Sequence, residues 1–235
     1  MKRRDFVRIC TSALGLVAVT PALLAEDSRA RRLYQRVKLV DGGGAPLKAS
    51  ALKPQAPQLF HYPYAGTPCF LVRLNGSIAG DVPLKTADDR RYVWTGGIGP
   101  GHSIVAFSAI CPHQLSYSSK HQSFINYQAT PSPVAHRADV ITCCAHYSVF
   151  DPGQGGKVLD GPAPQPLTTI LLEHDTGTDE LYAIGTLGGE LFEDFFNAYR
   201  TELIEEFGRG VSHQEATGTT MTLPVEKYAA QIFKC

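Results

Sequence analysis

Beyond residue 68 the apolar residues come in short runs with polar, Gly- and Pro-containing breaks between them. Cys69–Leu74, Ile104–Phe107, Asp139–Thr142, Thr169–Leu172 and Leu181–Ile184 are of strand length and rich in β-branched and aromatic residues. This pattern predicts an all-β body. Asn75-Gly76 predicts a hairpin turn. From Gly189 the period changes. Phe192, Phe195, Phe196, Tyr199, Leu203 and Phe207 recur at steps of three and four, which predicts one amphipathic helix over Glu190–Phe207 with Gly208 as its stop. Its aromatic stripe is expected to pack on the β body. No internal repeat interrupts the chain.

The N-terminus follows a different logic. Two arginines, Arg3 and Arg4, precede Asp5 and Phe6, and Ile9–Ala25 is an uncharged stretch of 17 residues. That is short for a comfortable membrane span and fits an export signal. The Arg-Arg pair resembles a twin-arginine signal, which carries folded proteins out of the cytoplasm. Residues 1–25 are therefore read as a signal or a retained anchor, with a periplasmic destination and membrane association if the anchor is kept. Residues 26–44, ending in Gly42-Gly43-Gly44, read as a flexible linker. Residues 45–188 form the main domain and 189–235 a helical extension.

Charge adds mainly an exclusion. Lys and Arg number 22, Asp and Glu 22, and the cations form no long run, so nothing marks a nucleic-acid partner. Removal of residues 1–25 would take away Lys2, Arg3, Arg4, Arg8 and Asp5, leaving a net charge of −3.

The candidate chemistry lies in two paired motifs. Cys111-Pro112-His113 is C-x-H, and Cys143-Cys144-Ala145-His146 contains C-x-x-H. A [2Fe–2S] centre with one iron on two thiolates and the other on two imidazoles needs one sulfur and one nitrogen from each of two loops. Zinc uses the same ligand types, though its paired ligands commonly reach one metal from a C-x-x-C or H-x-x-x-H spacing. Buried structural cysteines are the third reading.

The flanking residues carry a resemblance. His146-Tyr147-Ser148-Val149-Phe150-Asp151-Pro152, the glycines up to Gly156, and Gly161-Pro162-Ala163-Pro164 look like the second cluster loop and the covering proline loop of Rieske proteins. The resemblance implies a Rieske fold of stacked antiparallel sheets with a cluster-binding subdomain. It implies a [2Fe–2S] cluster with Cys111 and Cys143 on one iron and His113 and His146 on the other. Ser148, Phe150, Pro162 and Pro164 would surround it, and Cys144 would bind no iron. In high-potential relatives a disulfide ties the two loops; the corresponding places here are Ser116 and Ala145, so that bridge cannot form. The serine that donates toward the cluster is kept as Ser148, whereas Phe150 stands where a donating tyrosine would be.

Tyr92–Pro100, Ile104–Ser108, Phe60–Pro63 and Thr67–Cys69 together resemble the small subunit of arsenite oxidase. That resemblance implies one-electron transfer within an exported oxidoreductase, beside a larger molybdenum-containing subunit. The alternative is the Rieske subunit of a quinol–cytochrome c reductase, partnered by cytochrome b. In either case an electron acceptor such as a c-type cytochrome is implied. Residues 189–235 lie outside both resemblances. The other histidines, His61, His102, His121, His136, His174 and His213, show no pairing for a second iron site and read as surface or core residues. The chain thus reads as a relay with no substrate site of its own. Cys69, Cys144 and Cys235 are left over: Cys69 is expected buried, and terminal Cys235 is expected to be an idle thiol at a frayed end.

Overall fold

The computed structural model describes residues 30–78 and 80–235; the N-terminal segment read as a signal lies outside them. The fold is all-β, as the strand pattern predicts. Its large sheet runs β14 (Thr219–Met221), β1 (Arg31–Val40), β13 (Glu180–Leu187), β12 (Thr169–Asp175), β6 (Ile104–Ser108), β3 (Pro68–Arg73), β2 (Gln58–His61), β15 (Leu223–Pro224). The sheet curls toward closure: Thr220 Oγ1 on β14 donates to the carbonyl of His61 on β2, 2.9 Å away. A second, antiparallel sheet runs β11 (Lys157–Asp160), β10 (Ser148–Asp151), β9 (Val140–Cys143), β8 (Ile125–Gln128). Two small ladders complete the set, β4 (Val82–Lys85) with β5 (Arg91–Trp94), and β16 (Gln231–Ile232) with β7 (Gln122–Ser123).

Side-chain alternation explains why β6 is apolar throughout. Ile104 and Ala106 face one core with Val37, Leu39, Phe60 and Leu181. Val105, Phe107 and Ala109 face another, between the two sheets, with Phe70, Trp94, Ile141 and Phe150. A strand buried on both faces reads as a continuous apolar run. The same two-residue period carries past the strand end and places Cys111 in the inter-sheet core. On β9, Ile141 and Cys143 share that core by the same rule.

Four sequence expectations change. The described part of the expected linker, residues 30–44, is no loose joint, because β1 pairs with β13 and β14 inside the large sheet. Its charges hid the strand; they are met across the sheet by Arg36–Glu173 at 2.6 Å and Lys38–Glu180 at 2.8 Å. The glycines after it form a tight turn, with Asp41 Oδ1 accepting from the amides of Gly43 and Ala45. Asn75-Gly76 bends the chain, with Gly76 at φ 80°, but makes no hairpin: β3 pairs with β2 and β6, while β4 pairs with β5.

The expected single helix is two, α1 (Phe192–Ala198) and α2 (Arg200–Phe207), broken at Tyr199. Tyr199 sits at φ −114°, ψ 28°, outside helical values; Gly208 ends α2 as expected. The extension also supplies β14, β15, β16 and the short α3 (Val225–Tyr228), so it is woven into the β body. Finally, Cys235 is not idle. It forms a disulfide with Cys144 across a sequence separation of 91. Closing a loop of that length removes unfolded-state entropy worth about 4–5 kcal/mol.

Candidate metal centre

Two loops meet at the end of the inter-sheet core. The first leaves β6 through Ala109 and Ile110 and carries Cys111 and His113. The second joins β9 to β10 and carries Cys143 and His146. Both are built alike. In the first, the Leu115 amide donates back to the Cys111 carbonyl at 2.9 Å; in the second, the Tyr147 amide donates to the Cys143 carbonyl at 2.7 Å. Leu115 and Tyr147 both take left-handed backbone angles, φ 59° and 63°. Such angles are uncommon for bulky residues and persist only where surrounding structure enforces them. No glycine marks these positions, so nothing in the residue pattern announces them.

The four candidate ligands converge in two pairs. Cys111 and Cys143 are free, fully buried thiols. Their mutual interaction lowers the Cys143 thiol, helped by the amides of Ala145 and His146, while the interaction with Cys143 and burial push Cys111 up. The His113 and His146 rings stand edge to face, 4.7 Å between centroids. Each ring is partly exposed, yet each Nδ1 is buried without a hydrogen-bond partner. Buried polar atoms are rarely left so. Among the described residues no three His, Cys, Asp or Glu side chains gather to hold a single ion.

The surroundings follow the strand register. Ser148 lies opposite Cys143, and Phe150 opposite Ile141. Ser148 Oγ is buried without a hydrogen-bond partner and favours a thiolate on Cys111. Phe150 is fully buried in the inter-sheet core. Gly161, at φ 88°, opens the proline loop. A side chain there would meet the Tyr147 carbonyl and the Ser148 Cα at 2.6 Å, so only glycine lets this loop lie against the second cluster loop. Pro162 and Pro164 are exposed on it, while Ala163 packs against the inter-sheet core.

Two features are absent from the sequence reading, the paired left-handed residues and the disulfide next to Cys143; the aromatic stripe packs on the β body as expected and forms a wall beside the first loop. In that wall Tyr117 of the first loop meets Phe195 at 4.9 Å and Tyr199 at 4.7 Å. Burial raises the Tyr199 phenol, and charge on Glu202, Cys143 and Cys111 adds to the shift. Three of the spare histidines have partners of their own: His61 bonds Tyr228, His174 bonds Asp179, and His213 bonds Ser212.

A Rieske [2Fe–2S] domain model matches residues 71–171. The chain is 33% identical over 195 residues to the iodate reductase subunit IdrB of Pseudomonas sp. (strain SCT), covering 80% of each. It is 29% identical over 193 residues to the subunit of the same name from Denitromonas iodatirespirans, covering 80% of this chain and 82% of that one. A solved soluble domain of Rieske protein II from Sulfolobus acidocaldarius aligns with 25% identity and a TM-score of 0.45, over 67% of this chain and 82% of that domain. The chain belongs to the Rieske family of [2Fe–2S] electron-transfer proteins.

Proposed function

We propose that Cys111 and Cys143 hold one iron of the cluster and His113 and His146 the other, and that the chain is the small electron-transfer subunit of an exported, arsenite-oxidase-like oxidoreductase. The observation that carries the ligand reading is the pair of orphaned Nδ1 atoms beside a pair of buried thiols. A metal bond is the missing partner that would satisfy each nitrogen. Sulfurs paired with sulfurs and rings paired with rings suit two irons better than one tetrahedral zinc.

When bound, the cluster supplies a one-electron couple. The protein's residues set the conditions for it. The amides of His113, Ala145 and His146 and the Ser148 hydroxyl favour thiolates at the two sulfurs. The inter-sheet core excludes water from the sulfur side, while the two partly exposed imidazoles form the edge through which a partner is reached. The proline loop, seated by Gly161, shields the flank.

The subunit reading rests on the resemblance of Tyr92–Pro100, Ile104–Ser108, Phe60–Pro63 and Thr67–Cys69 to the arsenite oxidase small subunit and on relatives that are named as iodate reductase subunits. Export is supported by Arg3-Arg4 and the apolar stretch after them. It is supported also by the disulfide, since such bridges persist mainly in oxidising compartments. Among the described residues no helix is long and apolar enough to cross a membrane. Affinity capture of the full chain from its native cells, with metal analysis of the captured complex, tests the reading. Molybdenum in a larger co-purifying subunit is expected; haem and a cytochrome b would overturn it in favour of a quinol–cytochrome c reductase.

A further inference from the structure

The C-terminal extension touches both cluster loops. On the first, Phe192, Phe195 and Phe196 form one apolar cluster with Ile110, the neighbour of Cys111, and Leu115 packs at its edge. On the second, the chain end runs in parallel with β7. There the Phe233 amide donates to the Ser123 carbonyl at 3.0 Å, and the Asn126 side chain donates to the Phe233 carbonyl at 3.0 Å. The Phe233 ring stacks on Phe124, 4.5 Å and 6° apart. Phe124 in turn accepts the Cys144 amide on its carbonyl at 2.7 Å. The Cys144–Cys235 disulfide closes this circuit one residue from Cys143. Besides it, the described cysteines are all free, so it is the single disulfide among the described residues that reaches either loop.

We propose that residues 189–235 act as a clamp over the two cluster loops, that the Cys144–Cys235 disulfide is its latch, and that cluster retention depends on the redox state of that pair. The proposal rests on the ligand reading given above. Without the latch, the tail is held over the second loop by a few hydrogen bonds and one ring stack, and so thinly held a segment opens locally. Release of the tail removes Phe233 from Phe124 and leaves one amide bond to hold the second loop at Cys144.

The opening step is a two-electron exchange with a dithiol. The S–S bond breaks, each sulfur gains one electron and one proton, and the dithiol becomes its own disulfide. Cys144 and Cys235 are both partly exposed, so an attacking thiolate can reach them. Cys69 is fully buried and offers no competing partner.

The test uses the full-length protein carrying its cluster, with the cluster in one oxidation state throughout. Iron loss to a strong chelator is followed by visible absorbance for wild type, wild type treated with dithiothreitol, Cys144→Ser and Cys235→Ser. All four samples are expected to start with the same EPR spectrum. The treated wild type and both variants are expected to lose iron faster by on the order of tenfold, the scale of a local opening of the fold, and dithiothreitol is expected to add nothing in either variant. Hydrogen exchange is expected to rise only around residues 122–126, 142–147 and 229–235. Equal iron loss in wild type and variants would overturn the clamp, as would a wild-type mass showing both cysteines reduced. A uniform rise in exchange that includes β12 and β13 would reduce the bridge to a general staple and also overturn it. Absence of any [2Fe–2S] signal in wild type would instead overturn the ligand reading.

Discussion

His113 and His146 meet edge to face with their ring planes 83° apart, each carrying a buried Nδ1 that no protein group satisfies. Two imidazoles from different loops hold this attitude only if something between the loops accepts both nitrogens. Replacing either histidine, or Cys111 or Cys143, with Ala is therefore expected to abolish the low-average-g EPR signal of a mixed Cys/His [2Fe–2S] centre. Cys144→Ala is expected to preserve it. EPR of reduced, iron-loaded protein checks this, and stoichiometric zinc in place of iron would defeat it.

The candidate ligands stand out in the sequence because their spacing is local: each loop carries its cysteine and histidine within four residues. β6 was legible because both its faces are buried, so its apolar run is unbroken. β1 was not, since Arg36 and Lys38 find Glu173 and Glu180 only after the chain has travelled more than a hundred residues. The break at Tyr199 was hidden too, because the aromatic period continues across it while the backbone does not. The Cys144–Cys235 pair was hidden as well, because nothing local says that the tail passes over the second loop.

The export reading concerns residues 1–25, outside those the structure describes. Arg3-Arg4→Lys-Lys keeps the charge and removes the pair that the twin-arginine transporter reads. Fractionation of cells producing the double variant is expected to find the protein retained in the cytoplasm. Unchanged periplasmic accumulation would indicate an ordinary secretory signal.

His61 supplies a pH dependence of stability. It borders a cavity of about 340 Å³, with Nε2 2.8 Å from the Tyr228 hydroxyl. Burial, and then the charge of Lys120, lower its pKa from 6.5 to about 4. Between those values the unfolded chain binds a proton that the folded chain refuses, so stability rises with pH across that window. The contribution is complete above pH 6.5 and is lost as pH falls toward 4. The full shift corresponds to about 3 kcal/mol, and access to water through the cavity reduces it to about 2 kcal/mol. Urea unfolding of wild type and His61→Gln at several pH values is expected to show the variant's stability falling less steeply on acidification. Parallel curves would refute the assignment.

Ser148 and Phe150 bear on the reduction potential. They lie on the same face of β10, two residues apart, opposite Cys143 and Ile141. A hydroxyl that donates toward a cluster sulfur stabilises the extra negative charge of the reduced state and raises the potential. Ser148 supplies one such donor, buried and free of any competing bond; Phe150 supplies none. The wild-type potential is therefore expected in the lower or middle part of the Rieske range of about −150 to +300 mV. A charge-assisted hydrogen bond is worth about 1.5–3 kcal/mol, but both redox states make it, so only the difference between them appears. At about 59 mV per tenfold change for one electron, the expected shifts are tens of millivolts. Ser148→Ala should lower the potential and Phe150→Tyr should raise it, the latter because the buried ring already points along the face that carries the serine. Voltammetry of the three proteins decides the matter. A wild-type value at the top of the range, or no change in Phe150→Tyr, would show that the potential is set by groups other than these two side chains.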